Sequence, residues 1–345
     1  MLPLLAEDDR LELHLFLHID QFDLFEPVDD RVRLHVFDFK SDLMNLLLWE
    51  QFSLPVLART MAADVTFSPA NYGPLLAPAS VIMLRNALAV VGAETRPSKR
   101  LYWSGLAFMT AISLLCCTKA IAVSEYARRA LTFGLGTRLL GKVSVIYHGV
   151  DRRFSPSERP VRDDPYLLAV ADIYVQKNLH TLIAAMKGIR EEYPDIRLKI
   201  AGRLNDVGYY EELKKLVGDN RLGDSVQFLG ERSGTDLIEL YRNCAVFVFP
   251  STVETFGNPL AEAMACGAPI AASNAAAMPE IVGDTATLFD PLNADDMARQ
   301  IVTYLQKPEF ARRMGAKGRA RSKMFSWPET ARKTSDILVA SARNG

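Results

Sequence analysis

Two carboxylates eight positions apart, Glu254 and Glu262, lie within the run PSTVETFGNPLAEAMACGAP at 250–269. A carboxylate accepts hydrogen bonds at both oxygens, so one acid can grip the hydroxyls of a ribose and the other those of a hexose. Between them the chain carries Asn258, with N-cap chemistry, and Pro259, which suits a first helical position; Gly267 suits the helix end. The helix so predicted opens with N–H groups lacking intrahelical partners and with the positive end of its dipole. Gly257 lets a ligand come close to that backbone, which makes an anion site fit for phosphate. A capped helix whose glutamates only complement the dipole is the simpler alternative.

Such a site needs strands that end beside it. In the second half, apolar runs closed by turn residues predict strands at 166–171, 197–201, 225–229, 245–250 and 268–273, with helices starting near Leu179, Tyr209, Thr235 and Pro259. In the first half, alternation predicts strands at 11–19 and 31–39. Short apolar runs follow at 64–68, 81–84, 119–124 and 143–150, and Glu125 to Leu131 reads as a basic helix. The stretch SPSERPVRDDP at 155–165 has a linker composition and marks a boundary. Strands alternating with helices imply parallel sheets covered on both faces. The predicted fold is therefore α/β, with Rossmann-like domains at 1–156 and 157–328 facing a cleft at the carboxyl ends of their strands.

The chain has 345 residues, 49% of them apolar and 23% charged, ordinary for a protein that buries a full core. A net charge of -1 gives it no reason to seek nucleic acid. Cys116, Cys117, Cys244 and Cys266 are adjacent or sit in apolar runs, a pattern of buried thiols rather than of disulfides or metal ligands. No Asp-x-Asp occurs, and no Gly-x-Gly-x-x-Gly follows a strand, which disfavours a metal-dependent transferase and a dinucleotide enzyme. Acidic residues from Glu7 to Asp9 interrupt the opening apolar residues, so a cytoplasmic protein is expected. Between Arg100 and Lys119 lie 18 uncharged residues. They read as a buried helix, as one lying in the membrane interface, with Arg96, Lys99 and Arg100 ahead of it and Tyr102 and Trp103 within it, or, the least favoured of the three, as a spanning helix. Residues 96–119 are thus a candidate peripheral membrane contact at the inner face, to which the basic run Arg312, Arg313, Lys317, Arg319, Arg321 and Lys323 would add.

The run PS-x-x-E-x-F-G-x-P-x-x-E-A-M-A-x-G-x-P resembles, position for position, the signature of glycosyltransferase family 4, retaining enzymes of the GT-B fold. The resemblance covers most of the chain from about Val143 to Leu338, with VSEYARRAL earlier and FSW at 325–327. It implies that Glu254 contacts the transferred sugar and Glu262 the ribose. The backbone of Phe256, Gly257, Asn258 and Leu260, beside Pro259, would meet the diphosphate or sugar. Lys177 and Asn178, in VADIYVQKNL, match a lysine that reaches the diphosphate and the residue after it. Where the family often has an arginine, Asp172 stands here; either another cation serves, with Arg203 the candidate, or Asp172 turns away.

In the first domain the resemblance sets Arg85 and Asn86 where a histidine and Asp or Asn are common, with Asn86 able to bond a sugar hydroxyl. It turns Ser124 and Arg128 toward an acceptor, and residues 329–345 form a helix crossing back to this domain. The chain opens at about the end of the family's first helix, so the first strand is expected to be missing, through a late start assignment or a true shortening. The implied function is retaining transfer of a mannose-type or glucose-type hexose from a nucleotide-diphosphate sugar to a hydroxyl of a glycan or lipid-linked acceptor, with no cofactor or metal. The alternative is a scaffold protein that binds the nucleotide sugar without turnover.

Overall fold

Strands form where β-branched and leucine-rich runs meet turn residues, and all the strand pairs recorded in the computed structural model are parallel. The structure describes residues 1–24, 29–85, 97–132, 137–156 and 164–343. The chain divides into two units, one of Met1–Leu88, Leu101–Gly149 and Ser326–Gly345, the other of Ala89–Arg100 and Val150–Phe325.

In the first unit, β1 (Leu13–His18) pairs with β2 (Val32–Phe37), and β3 (Thr66–Ser68), β4 (Ser80–Leu84), β5 (Lys119–Ala122) and β6 (Val143–Val145) form a separate sheet in that order. Among the described residues β1 and β2 thus pair only with each other. Histidines tie them together: His14 Nδ1 lies 3.0 Å from His35 Nε2 with the rings stacked, and His18 Nε2 lies 2.6 Å from the Phe39 carbonyl. All three histidines are thus satisfied within or beside the paired strands. β4 is buried throughout, as its unbroken apolar run demands.

Helical segments α1 (Leu43–Leu48) and α2 (Leu54–Thr60), joined by a π-helical turn at Trp49–Ser53, follow β2, and sequence periodicity did not flag them. Asp42 caps α1 by accepting the Asn45 N–H at 3.0 Å. Helix α3 (Pro97–Cys116) buries Thr110, Ser113 and Leu114, while Leu101, Tyr102, Phe108 and Leu115 are exposed. It is therefore buried on one face only. Among the described residues no helix is long and apolar enough to cross a membrane. Helix α4 (Glu125–Leu131) follows β5.

The second unit carries a six-stranded sheet in the order β12 (Thr287–Phe289), β11 (Ile270–Ser273), β10 (Val246–Phe249), β7 (Tyr166–Val170), β8 (Arg197–Ala201), β9 (Val226–Gly230). Helix α5 (Leu179–Glu192) shows why the layers hold. Leu179, Leu182, Ile183, Met186 and Ile189 recur at helical spacing and are all fully buried against Leu167, Ala169 and Val246. Each such side chain contributes about 1.5–3 kcal/mol over its exposed state. Helices α6 (Val207–Asp219), α7 (Gly234–Asn243), α8 (Asn258–Cys266), α9 (Ala294–Gln306) and α10 (Pro308–Ser322) lie in the same unit, with a short helix at Met278–Val282.

Arg312, Lys317 and Arg321 of the basic run are engaged within the protein. Arg321 donates to the carbonyls of Ile281 and Glu280, both at 2.7 Å, Lys317 meets Asp284 at 3.2 Å, and Arg312 pairs with Glu309. The last helix, α11 (Trp327–Ala342), groups with the first unit, where Thr330 donates its hydroxyl to the Tyr147 carbonyl at 2.7 Å and Trp327 stacks on His148.

In the π-helical turn, burial pushes the Glu50 carboxyl up to about 7. Glu50 is therefore neutral in the folded chain over a range where the unfolded chain is charged. The stability this gives is complete below the ordinary glutamate value and is lost as pH rises through about 7. We expect Glu50→Gln to raise Tm at about pH 8.5 and leave it unchanged at about pH 5. Thermal melts at the two pH values check this, and an equal shift at both would contradict it.

Candidate functional site

In the second unit the strand order reverses at β7, which leads to β8 and β9 on one side while β10 returns to pair with it on the other. A reversal of this kind opens a crevice at the carboxyl ends of the strands. Lys177 lies in the loop after β7 and Glu254 in the loop after β10, and Lys177 Nζ donates to Glu254 Oε1 at 2.5 Å. The side chains are only 21% and 17% exposed, so water screens the pair weakly.

Asn178 fixes this meeting. It sits at φ 55°, in the left-handed region that Asn tolerates better than most side chains. Its fully buried Nδ2 donates to the carbonyls of Pro250 at 3.0 Å and Pro291 at 2.6 Å, and Oδ1 accepts the Thr181 hydroxyl at 2.6 Å. Thr252 adds its N–H and its hydroxyl to the Gln176 carbonyl at 3.0 and 3.2 Å. The family pattern sets Asn178 at the diphosphate. Here both of its amide hydrogens are engaged inside the protein, so it holds the loops that carry Lys177 and Glu254.

Helix α8 begins one residue earlier than its sequence implies. Asn258 is already helical, Gly257 precedes it at φ 85°, and no side chain caps the turn. Glycine is needed at 257 because its φ would strain any side chain there. Pro259 has no N–H, and the Leu260 N–H donates to the Gly257 carbonyl at 2.9 Å. The Leu260 N–H, expected to meet the diphosphate or sugar, is thus engaged within the first turn of the helix. Phe256 is buried edge-on against Phe325, with ring centroids 5.4 Å apart, and anchors the loop.

These loops wall a pocket of about 480 Å³ whose lining includes Asp172, Lys177, Arg203, Arg232, Asn258, Pro259 and Glu262. At its floor Gly202 permits close contact of two strand ends, since a Cβ there would stand 1.9 Å from the Ala171 carbonyl oxygen. Asp172 turns to the loop after β8, accepting the Arg203 N–H at 3.0 Å and the Asn205 amide at 3.1 Å. The Arg203 guanidinium stands between Asp172 and Glu231, at 3.8 and 3.6 Å. Glu262 accepts the Tyr241 hydroxyl at 2.9 Å. Burial raises the Glu262 carboxyl above the ordinary glutamate range, the Tyr241 bond draws it down, and Asp151 adds to the rise. Tyr241 and Gln176 escaped the sequence reading because each acts through a contact between separate elements, and Arg232 lines the pocket from the loop after β9 with no local spacing to mark it.

The Arg85 N–H donates to Asn71 Oδ1 at 2.8 Å at the end of β4, and Asn86 lies outside the described residues. Ser124 is fully buried and caps α4 by accepting the Ala127 N–H at 2.9 Å, so its oxygen serves the helix. Arg128 pairs with Glu125 at 2.9 Å one turn along that helix. β4 and β5 are neighbours in the sheet, which sets Arg85 and Ser124 at adjacent strand ends.

Residues 151–321 match the family described as glycosyl transferases group 1. The chain is similar to the O-antigen chain mannosyltransferase B of Escherichia coli, 34% identical over 166 residues that cover 47% of this chain and 42% of that protein. It is also similar to the MMP alpha-(1->4)-mannosyltransferase of Mycolicibacterium hassiacum, 34% identical over 56% of this chain and 47% of the relative. The chain thus spans less than half the length of these two curated relatives. Among solved structures, Anabaena HepE in complex with UDP and glucose superposes with a TM-score of 0.76 at 19% identity, over 97% of this chain and 94% of that one. Sucrose-phosphate synthase from Thermosynechococcus elongatus gives 0.72 at 22% identity, over 94% and 88%. The shared fold is GT-B, two Rossmann-like units of parallel sheet.

Replacing Asn178 tests the clasp. In Asn178→Ala two buried carbonyls lose their donors, at about 1–3 kcal/mol each, and alanine at a left-handed φ costs about 1–2 kcal/mol more. Urea denaturation is expected to lose about 3 kcal/mol or more of stability. Asn178→Gly, which relieves only the backbone, recovers the smaller share. A variant as stable as the parent would contradict the clasp.

Proposed function

We propose that this chain, which belongs to the glycosyl transferases group 1 through residues 151–321, moves a hexosyl group from a nucleoside-diphosphate sugar to a hydroxyl and retains the anomeric configuration. The observation that carries the reading is the meeting of Lys177 and Glu254 at 2.5 Å beside the start of α8. In the reaction the bond from the sugar C1 to the diphosphate breaks, the acceptor oxygen bonds C1 on the same face, and its proton passes to the departing phosphate. Charge therefore builds on that phosphate. Lys177 has three N–H donors, so its ammonium can keep Glu254 while binding a phosphate oxygen. The dipole of α8 adds to it, and Arg203 and Arg232 line the same pocket. Glu254 accepts hydroxyls of the transferred hexose, and Glu262 those of the ribose. The cationic groups take the part a metal ion plays in other transferases, so none is needed. Mannose-type and glucose-type donors both fit the relatives.

The acceptor is a glycan or lipid-linked hydroxyl reached at the inner face of a membrane, which the first unit touches. Met44, Leu48, Phe52 and Val56 recur at every fourth position and are 47–66% exposed, and Leu101, Phe108 and Leu115 recur at every seventh along α3 at 56–76%. Each set makes one helix stripe of apolar surface without a protein cover among the described residues.

Transfer from a panel of UDP and GDP hexoses should persist in EDTA, while Lys177→Ala and Glu254→Gln each lower kcat/KM by about 100-fold or more. Undiminished activity in both variants would overturn the assignment. Donor binding without any transfer would favour the scaffold reading. In flotation with vesicles containing anionic lipid, the protein should rise with the lipid, and the double change Phe52→Ser, Phe108→Ser should leave it in solution. Full flotation of that variant would remove the membrane contact.

A further inference from the structure

The Tyr241 side chain lies wholly inside the second unit, on α7, and its hydroxyl is within reach of one acceptor of particular interest. It donates to Glu262 Oε2 at 2.9 Å. The ring is held by edge contacts to Phe247 at 5.3 Å and Phe154 at 5.9 Å between centroids, so the hydroxyl cannot swing away without unpacking the core. Glu262 in turn lines the pocket beside Asn258 and Pro259. A phenol has a single hydrogen, and here it is committed to one oxygen of the carboxylate. The other oxygen keeps both lone pairs for a ligand.

We propose that Tyr241 is a positioning residue that holds Glu262 as a pure hydrogen-bond acceptor, and so makes the site select nucleotides whose ribose offers two adjacent hydroxyls. The proposal rests on the reading of Glu262 as the group that takes the ribose hydroxyls. Two hydroxyl donors need acceptors, and an ionised carboxylate supplies them, whereas a protonated one turns one oxygen into a competing donor. Burial and Asp151 favour the protonated form of Glu262, and the bond from Tyr241 opposes them. Tyr241 itself stays protonated, its hydroxyl raised far above the usual tyrosine range by burial and by the neighbouring carboxylate. The other titratable groups facing Glu262 are Cys266 on its own helix and, across the pocket, Lys177, Asp172, Arg203, Glu231 and Arg232. Among the described residues Tyr241 is the group that hydrogen-bonds Glu262, and so the one that tips its protonation.

The test is calorimetric titration of the intact chain with UDP and GDP, and with their 2′-deoxy counterparts, from about pH 5 to pH 8.5. Below a threshold pH the parent loses affinity as Glu262 takes up its proton. In Tyr241→Phe that loss should begin at a higher pH, affinity for the better ribonucleotide near neutrality should fall about tenfold, and the 2′-deoxy nucleotide should bind both proteins alike. An affinity drop that is uniform across pH, or equal for the ribo and deoxy ligands, would mean only a packing role and would overturn the proposal. Glu262→Gln separates the underlying reading: if it binds the ribonucleotide as well as the parent does, Glu262 does not hold the ribose, whatever Tyr241→Phe does. Should Tyr241→Phe fail to fold, 3-fluorotyrosine placed at position 241 keeps the geometry with a stronger donor. It should move the threshold to lower pH, and an unmoved threshold would overturn the proposal equally.

Discussion

The amide of Asn178 reaches two carbonyls that lie 72 and 113 residues further along the chain, at Pro250 and Pro291. Each belongs to a segment after a different strand of one sheet, so a single planar group sets the spacing of three loops at once. That explains why an unfavourable backbone conformation persists there. A left-handed residue costs about 1–2 kcal/mol, and two buried carbonyls left without donors would cost more. Because Lys177 is the next residue back, the same constraint sets where its ammonium can go. The ion pair with Glu254 follows from the clasp rather than the reverse.

The pocket carries its charges in balance. Lys177, Arg203 and Arg232 face Asp172, Glu231 and Glu262 along its lining, so the site is not a general anion trap. Its selectivity must come from where each charge points. Asp172 is turned by the Arg203 N–H and the Asn205 amide, and with Glu231 it holds the Arg203 guanidinium on the wall. The acid that stands where an arginine is common is thereby satisfied by the loop after β8.

Much of this architecture was legible in the residue pattern. Strand runs such as YLLAV and VFVF are short, apolar and bounded by turns, and they form where expected. The helix stop at Gly267 was also readable, because a left-handed C-terminal glycine has a local signature. What failed was longer in range. The helices from Leu43 to Thr60 carry apolar residues on their exposed side, which blurs the helical period. Asn258 has the chemistry of a cap, yet Gly257 takes that place because only glycine bears its dihedral. The engagement of Asn178 and the support of Glu262 by Tyr241 depend on folded distances, which spacing along the chain does not encode.

The reversal of strand order beside β7 also separates what must stay from what can vary. Lys177 and Glu254 sit on the loops of β7 and β10, while the opposite wall, Arg203 with Glu231 and Arg232, is carried by the loops of β8 and β9. Those outer loops can lengthen, shorten or change composition without passing through the clasp at Asn178. The fold therefore works like a fixed jaw set against an interchangeable one. Insertions on one side can reshape the pocket wall while the Lys177–Glu254 pair keeps its place.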